Sequence, residues 1–69
     1  MENIEKLRFE NEEEKVEFME LIKEGYLLIT NKFDNGISYI FEAGDYYDAF
    51  IFDNNGIMIN RLYAETLNY

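Results

Sequence analysis

The sequence predicts an α+β domain in which one amphipathic helix packs on an antiparallel sheet of four or five strands, in the order β-α-β-β-β-β. Two observations support this fold class. One early segment repeats its apolar residues at spacings of three and four, as a helix with one buried side does. Two later segments each place β-rich residues on both sides of an Asn-Gly pair, which is the strongest local signal of a hairpin. Because 69 residues are too few for two cores, residues 1–69 are expected to form a single small acidic domain.

Residues 4–9, before the helix, alternate apolar and charged side chains and place Leu7 and Phe9 on one side. This period of two predicts a half-buried strand. The same residues could also extend the helix, and both interpretations stay open. At the other end of the chain, residues 64–69 fit either a short helical turn or a frayed tail.

The predicted helix extends from Asn11 to Glu24. Asn11 is a suitable N-cap, and Glu14 stands three residues later, where its carboxylate can complete a capping box. Gly25 provides the expected stop. The side chains expected to recur on its apolar side are Val16, Phe18, Met19, Leu21 and Ile22.

The first hairpin is expected to join residues 26–33 to residues 37–42. A three-residue loop with Gly36 in the left-handed conformation pairs Phe33 with Ile37. This register is preferred to that of a two-residue turn, because it gathers most of the apolar side chains on one face of the hairpin.

The second hairpin is expected to join residues 46–52 to residues 57–63 through a four-residue loop, with a hinge at Gly44-Asp45 before it. Its register faces Phe52 with Ile57 and places Asp48 opposite Arg61, an opposite-charge pair across the strands. Both faces of this hairpin are partly apolar. That pattern indicates a central position in the sheet or a face that another chain covers.

The residue inventory excludes several classes of catalytic site. The chain has no His and no Cys, so neither a Ser-His-Asp site nor a Cys or His zinc site can be built. Its four glycines are isolated and form no phosphate-binding or dinucleotide-binding loop. Asp and Asn residues near the hairpins are interpreted as turn residues rather than calcium ligands. We therefore expect a non-enzymatic protein with no metal and no cofactor.

Neither a signal peptide nor a membrane span is apparent in the sequence. The first residues lack the basic start and apolar core of a signal peptide, and no apolar stretch approaches the roughly 20 residues of a membrane helix. We expect a cytoplasmic protein that does not bind membranes, in the host cytoplasm if a phage encodes it.

The charge of the chain is strongly negative and unevenly distributed. Fifteen acidic and six basic residues give a net charge of −9, and nine of the acids fall within the first 24 residues, where a solvated helix face explains them. Residues 33–58 contain five acids, several tyrosines and no basic residue. Short acids among tyrosines suit a contact surface, since tyrosine offers large area at low entropic cost. The predicted partner-binding residues are Asp34, Tyr39, Glu42, Asp45, Tyr46, Tyr47, Asp48 and Asp53.

These features lead to two functional hypotheses. The first is an acidic protein-binding domain that mimics nucleic acid and blocks a basic site on a restriction, repair or CRISPR enzyme, as an inhibitor encoded by a phage or mobile element would. Direct binding to nucleic acid is not expected, because phosphates would repel a body of charge −9. The alternative is a small structural or regulatory module that self-associates through its sheet as a homodimer.

Overall fold

Four strands form one antiparallel sheet in chain order, and one helix packs against it. The computed structural model describes residues 6–65. The elements are α1 (Glu12–Lys23), β1 (Leu27–Phe33), β2 (Gly36–Ala43), β3 (Tyr46–Asp53) and β4 (Met58–Ala64). The α+β fold is confirmed, with four strands among the described residues. Of the segment 64–69, Ala64 closes β4, and residues 66–69 lie outside the described range.

Among residues 6–11, before α1, one residue forms a bridge to the segment that leads into β4. Residues 4 and 5 of the predicted first strand lie outside the described residues. Arg8 forms a parallel bridge beside β4: its N–H donates to the Gly56 carbonyl at 2.7 Å, and its carbonyl accepts from the Met58 N–H at 2.9 Å. Leu7 and Phe9 pack against the core, as their alternation predicts.

Helix α1 begins and ends where its capping residues predict. Asn11 Oδ1 accepts a hydrogen bond from the Glu14 N–H at 2.9 Å, which confirms the N-cap and shows that residues 6–9 do not extend the helix. At the other end Gly25 adopts φ +79°, and the Tyr26 N–H donates to the Leu21 carbonyl at 3.1 Å, as in a Schellman motif. Within residues 6–65, no helix has the length and apolar character needed to cross a bilayer.

The buried side of α1 contains three of the five predicted side chains. Phe18 is fully buried, and Leu21 and Ile22 are half-buried, whereas Val16 and Met19 are 44% and 43% exposed. The contact is centred on Phe18, because an aromatic side chain fills the space above the sheet better than the smaller Val16.

The core is an aromatic cluster built around Phe18. Its ring lies 5.1 to 5.9 Å from five other rings, mostly edge to face. Such geometry adds about 0.5–1.5 kcal/mol per pair to the burial of area. The five rings belong to Phe9, Tyr39, Phe41, Phe50 and Phe52.

The first hairpin has a different register from the predicted one. Phe33 pairs with Gly36 across a two-residue turn, so the predicted pairing of Phe33 with Ile37 is wrong by one residue. Gly36 does not adopt a left-handed conformation. Instead it is buried in β2, and a Cβ atom there would collide with the Phe52 carbonyl oxygen of β3. Close approach of two strands, rather than turn geometry, therefore requires this glycine.

The shifted register moves several β1 side chains to the other face of the sheet. Lys32 pairs with Ile37 and thus lies on the face that α1 covers. Ile29 and Phe33 lie on the opposite face, which we call the open face because no element of residues 6–65 packs on it. An irregularity after Leu27 keeps that side chain on the helix-covered face.

The second hairpin closes with a three-residue loop instead of the predicted four. Gly56 has φ +82°, and the Asp53 N–H donates to the Ile57 carbonyl at 2.9 Å. The Asp53 carboxylate accepts from the Asn55 and Ile57 N–H groups at 2.8 and 3.0 Å. The hinge at Gly44-Asp45 is confirmed as a two-residue turn, with Gly44 at φ +68°.

The shorter loop and a bulge at Ile59 in β4 together change the pairing of the second hairpin. Phe52 pairs with Met58, so its predicted pairing with Ile57 is wrong, and Phe50 pairs with Arg61. Asp48 pairs with Tyr63 rather than with Arg61. Because a side chain can reach its diagonal neighbour, the predicted charge pair between Asp48 and Arg61 still forms.

Candidate acidic binding cleft

Arg61 is the centre of a network that joins α1 to the sheet. Its guanidinium donates to both carboxylate oxygens of Asp48, from Nε at 3.0 Å and from Nη2 at 2.6 Å. Nη1 donates to Glu14 at 2.7 Å and to Glu17 at 2.5 Å. One β4 cation thus holds a β3 carboxylate and two carboxylates of the helix. The engagement of Glu14 with Arg61 also explains why its carboxylate does not close the predicted capping box.

The Asp48–Arg61 pair at the centre of the network is shielded from water, whereas the Glu17 side chain is 44% exposed. Asp48 is 2% exposed, and the Arg61 side chain is 12% exposed. The guanidinium lies 4.3 Å from the centre of the Phe50 ring and 4.9 Å from that of Tyr63, within cation–π distance of both. Within residues 6–65, no buried side-chain nitrogen or oxygen lacks a hydrogen-bond partner. Such complete pairing is what allows a charge to be buried here.

These surroundings change the proton affinities of Arg61 and Tyr63. Burial lowers the pKa of the Arg61 guanidinium, but its hydrogen bonds to Asp48, Glu17 and Glu14 outweigh burial and raise that pKa above its usual value. Arg61 is therefore charged at neutral pH, as arginine side chains in proteins are. The pKa of the Tyr63 phenol is also raised, first by burial and then by the Asp48 charge.

A cleft of about 340 Å³ opens beside this network, between the second half of α1 and the strands β3 and β4. Four of its lining residues are acidic and one is basic, so its formal charge is −3. We call it the acidic cleft. Its lining residues are Glu17, Glu20, Leu21 and Glu24 of α1 and its C-cap, Tyr46 and Asp48 of β3, and Arg61 and Tyr63 of β4.

Two of these carboxylates are free to meet a ligand. Glu20 and Glu24 are exposed, and within residues 6–65 neither forms an ion pair. They stand four residues apart on the helix, where like charges repel. They also lie at the C-terminal end of α1, where the helix dipole is negative and disfavours acidic groups.

Two tyrosines form the other wall of the acidic cleft. Tyr46 and Tyr63 are 42% and 60% exposed, and their ring centres are 5.9 Å apart. Their faces offer cation–π contacts, and their hydroxyl groups offer hydrogen bonds. Exposed tyrosines beside unpaired carboxylates form a surface that suits the side chain of an arginine or a lysine.

The eight residues predicted to bind a partner are divided among different places in the structure. Tyr39 and Asp48 are each only 2% exposed, Tyr39 in the aromatic core and Asp48 against Arg61. Tyr46 and Asp48 line the acidic cleft, and Asp45 immediately precedes Tyr46 in the hinge. Glu42 is close to this end of the sheet and accepts a hydrogen bond from the Tyr47 hydroxyl at 3.5 Å.

The other two predicted residues lie at the opposite end of the sheet. Asp34 is in the first hairpin turn, and its carbonyl accepts from the Asn54 side chain at 3.0 Å. The Asp53 carboxylate organises the second hairpin loop. β2 separates the two ends with eight residues, or roughly 25 Å at about 3.3 Å per residue. Asp34 and Asp53 therefore do not share a contact surface with the acidic cleft.

Sequence reasoning missed six of the eight residues that line the acidic cleft: Glu17, Glu20, Leu21, Glu24, Arg61 and Tyr63. The helix glutamates were interpreted as a uniform solvated face. A signal was nevertheless present, because acids in the first turn of a helix favour folding, whereas acids at its C-terminal end oppose it. Glu20 and Glu24 lie at the C-terminal end, where an acidic side chain opposes folding.

The structure offers no metal centre within residues 6–65, where no group of three or more Asp or Glu side chains is placed to hold an ion.

Comparison with known proteins found no matching family model, no matching curated protein and no matching solved structure, so no residue of the acidic cleft takes its role from a relative.

Proposed function

We propose that the chain is a non-catalytic protein-binding domain whose acidic cleft receives an arginine or lysine side chain from a basic partner. The observation that supports this most directly is the placement of two unpaired carboxylates, Glu20 and Glu24, in one cleft with two exposed tyrosine rings. A cation in the cleft would form charge-assisted hydrogen bonds with the carboxylates and cation–π contacts with the rings.

Folding gives no reason for the position of these two carboxylates. Glu12, Glu13 and Glu14 occupy the first turn of α1, where the helix dipole stabilises them. Glu20 and Glu24 are repelled by each other and by the C-terminal end of the same helix. A local conflict of this kind is expected at functional sites, and a bound cation would remove it.

Arg61 provides an internal example of the proposed chemistry. Its guanidinium is surrounded by carboxylates from α1 and β3 and lies over aromatic rings, one of which is Tyr63. A cation entering the acidic cleft would meet the exposed side of the same tyrosine and the next two carboxylates along the helix. The partner's side chain would thus extend an arrangement that the fold already builds.

The partner class that we propose is a protein with a basic nucleic-acid-binding site. A net charge of −9 on 69 residues would attract such a site at long range and accelerate association. By occupying the site, the domain would act as a competitive inhibitor of nucleic-acid binding. An inhibitor from a phage or mobile element, directed at a restriction, repair or CRISPR enzyme, is the biological setting that we infer.

A cationic peptide of defined sequence tests the acidic cleft directly. A fluorescent arginine-rich peptide is titrated with the folded chain and with the double variant E20Q/E24Q, and binding is read as fluorescence polarisation. We expect the variant to bind about tenfold more weakly, because it removes the unpaired carboxylates but keeps the Arg61 network. Binding should also weaken between about 50 and 300 mM salt.

The matched control is the double variant E10Q/D34N. It also raises the net charge from −9 to −7, but both of its residues are exposed and lie outside the cleft. We expect its affinity to stay within about twofold of the parent. Equal weakening of the two double variants would mean generic charge attraction and would overturn the cleft assignment. A pull-down from bacterial lysate at low and high salt, followed by mass spectrometry, then identifies the partner.

A further inference from the structure

The open face of the sheet, opposite α1, carries an apolar row across all four strands. Ile29 of β1 pairs with Ile40 of β2, Ile40 pairs with Ala49 of β3, and Ala49 pairs with Leu62 of β4. Exposure varies along the row: Leu62 is 51% exposed, Ile29 and Ala49 are half-buried, and Ile40 is 7% exposed. Three further apolar side chains on the same face flank this row, namely Phe33, Tyr47 and Ile51.

Within residues 6–65, the centre of the open face is free of charge, although the net charge of the chain is −9. The row beside the apolar row contains Asn31, Ser38, Ile51 and Asn60. Among the described strand residues, acids on this face lie at its two ends: Glu42 is near the hinge, and the Asp53 carboxylate is engaged by its own loop. An apolar centre with a polar margin is the composition of a protein interface. The centre of this face therefore lacks the carboxylates with which a basic partner would pair in the acidic cleft.

The edges of the sheet are less suited to pairing than its face. β1 carries an irregularity at Leu28 and a lysine at position 32, and both features discourage another strand from adding to that edge. The start of β4 is already bridged by Arg8, and a bulge at Ile59 interrupts the pairing that follows. Contact through the sheet is therefore expected across its face.

We propose that a second copy of this chain packs on the open face, so that the two sheets stack about a twofold axis. Each copy then presents the same apolar row to the other, as an isologous dimer requires. Only a charge-free centre allows two bodies of charge −9 to approach closely. Four strands about 4.8 Å apart and about 25 Å long give roughly 500 Å² per copy, hence roughly 1,000 Å² per pair, the lower limit for a specific interface.

This dimer would present both acidic clefts on its outer sides. α1 and the cleft lie on the helix-covered face of each sheet, away from the proposed contact. A partner with two basic sites could engage both clefts at once and gain avidity. The proposal does not depend on what the clefts bind, because it rests on the open face alone.

Sedimentation equilibrium of the full chain tests the proposal. Protein concentrations between about 10 µM and 1 mM are needed, because an interface of this size predicts a weak dimer. We expect the mass to rise toward twice 8.3 kDa. We also expect dimerisation to strengthen at high salt, which screens repulsion between the copies, whereas binding in the acidic cleft weakens. The opposite salt responses distinguish failure of the dimer from failure of the proposed cleft function.

Two charge-inserting variants locate the contact. Leu62→Glu places a carboxylate in the apolar row and should weaken dimerisation more than tenfold, because two charges would be buried without partners. Met19→Glu inserts the same charge at a 43% exposed apolar residue of α1 and should leave dimerisation unchanged. Circular dichroism confirms that each variant is folded. A parent chain that is monomeric at 1 mM, or a Leu62→Glu variant that dimerises like the parent, would overturn the proposal.

Discussion

At the scale of single residues, the fold depends on how Arg61 and Asp48 satisfy each other. The carboxylate is 2% exposed and receives two hydrogen bonds from one guanidinium. A buried pair of this kind contributes little net stability compared with apolar residues of the same shape, but the loss of one partner is costly. Arg61 is also shared with two helix carboxylates, so its loss would release the helix from the sheet at one point.

Arg61→Met is expected to destabilise the domain by about 3–5 kcal/mol, because it leaves Asp48 buried without a partner. The free energy of unfolding is measured by urea denaturation. The double variant Asp48→Leu/Arg61→Met should recover most of this loss, since neither charge then remains buried. A single variant as stable as the parent would show that water reaches Asp48 in the folded domain.

Individual residues were predictable from the sequence where their role is local. Asn11 and Gly25 act within four residues of their own positions, and the capping rules describe both correctly. The role of Gly36 depends on β3, which approaches it so closely that no side chain fits. An Asn-Gly pair is normally explained by turn geometry, so this contact with a distant strand could not be read from the local sequence.

At the scale of elements, α1 combines an end that favours folding with an end that opposes it. Its first turn has three glutamates beside the positive pole of the dipole, whereas Glu20 and Glu24 lie near the negative pole. The only basic residue of the last turn is Lys23. The acidic residues at its C-terminal end therefore offset part of the stability that the capping residues give to the helix.

E20Q/E24Q is expected to stabilise the domain by about 0.3–1 kcal/mol, since it removes a like-charge repulsion and two unfavourable dipole interactions. E12Q/E13Q removes the same charge from the first turn and should destabilise the domain by a similar amount. Urea midpoints of the two double variants provide the comparison. If both changes have the same sign, total charge rather than position along the helix governs stability.

The strands were predictable as elements, but their registers were not. Register was inferred from the gathering of apolar residues on one face, and that criterion works only when the other face is polar. Here Ile29, Ile40 and Leu62 lie on the open face, so both faces contain apolar residues. The two-residue turn of the first hairpin, and the three-residue loop and β4 bulge of the second, then shift the registers from the predicted ones, which no local pattern indicates.

At the scale of the whole molecule, the acidic cleft could be predicted only in part. The sequence placed Tyr46 and Asp48 in a candidate surface, because they lie in a stretch without basic residues. The helix glutamates and Arg61 join them through packing of α1 on β3 and β4. Glu14 and Arg61 are 47 positions apart in the sequence, so their contact depends on the complete fold.

The net charge of −9 also predicts how the stability of the whole domain responds to salt. Every ion pair within residues 6–65 involves Arg61 and is partly buried, so salt screens these attractions weakly. The repulsion among the remaining acids acts through solvent and is screened strongly. We therefore expect the free energy of unfolding to increase between about 20 and 500 mM NaCl, measured by urea denaturation. The measurement uses the Leu62→Glu variant at about 5 µM, where the domain is expected to be monomeric. Dimerisation of the parent would add a salt dependence of its own. A decrease with salt would mean that attractive surface pairs outweigh the repulsion.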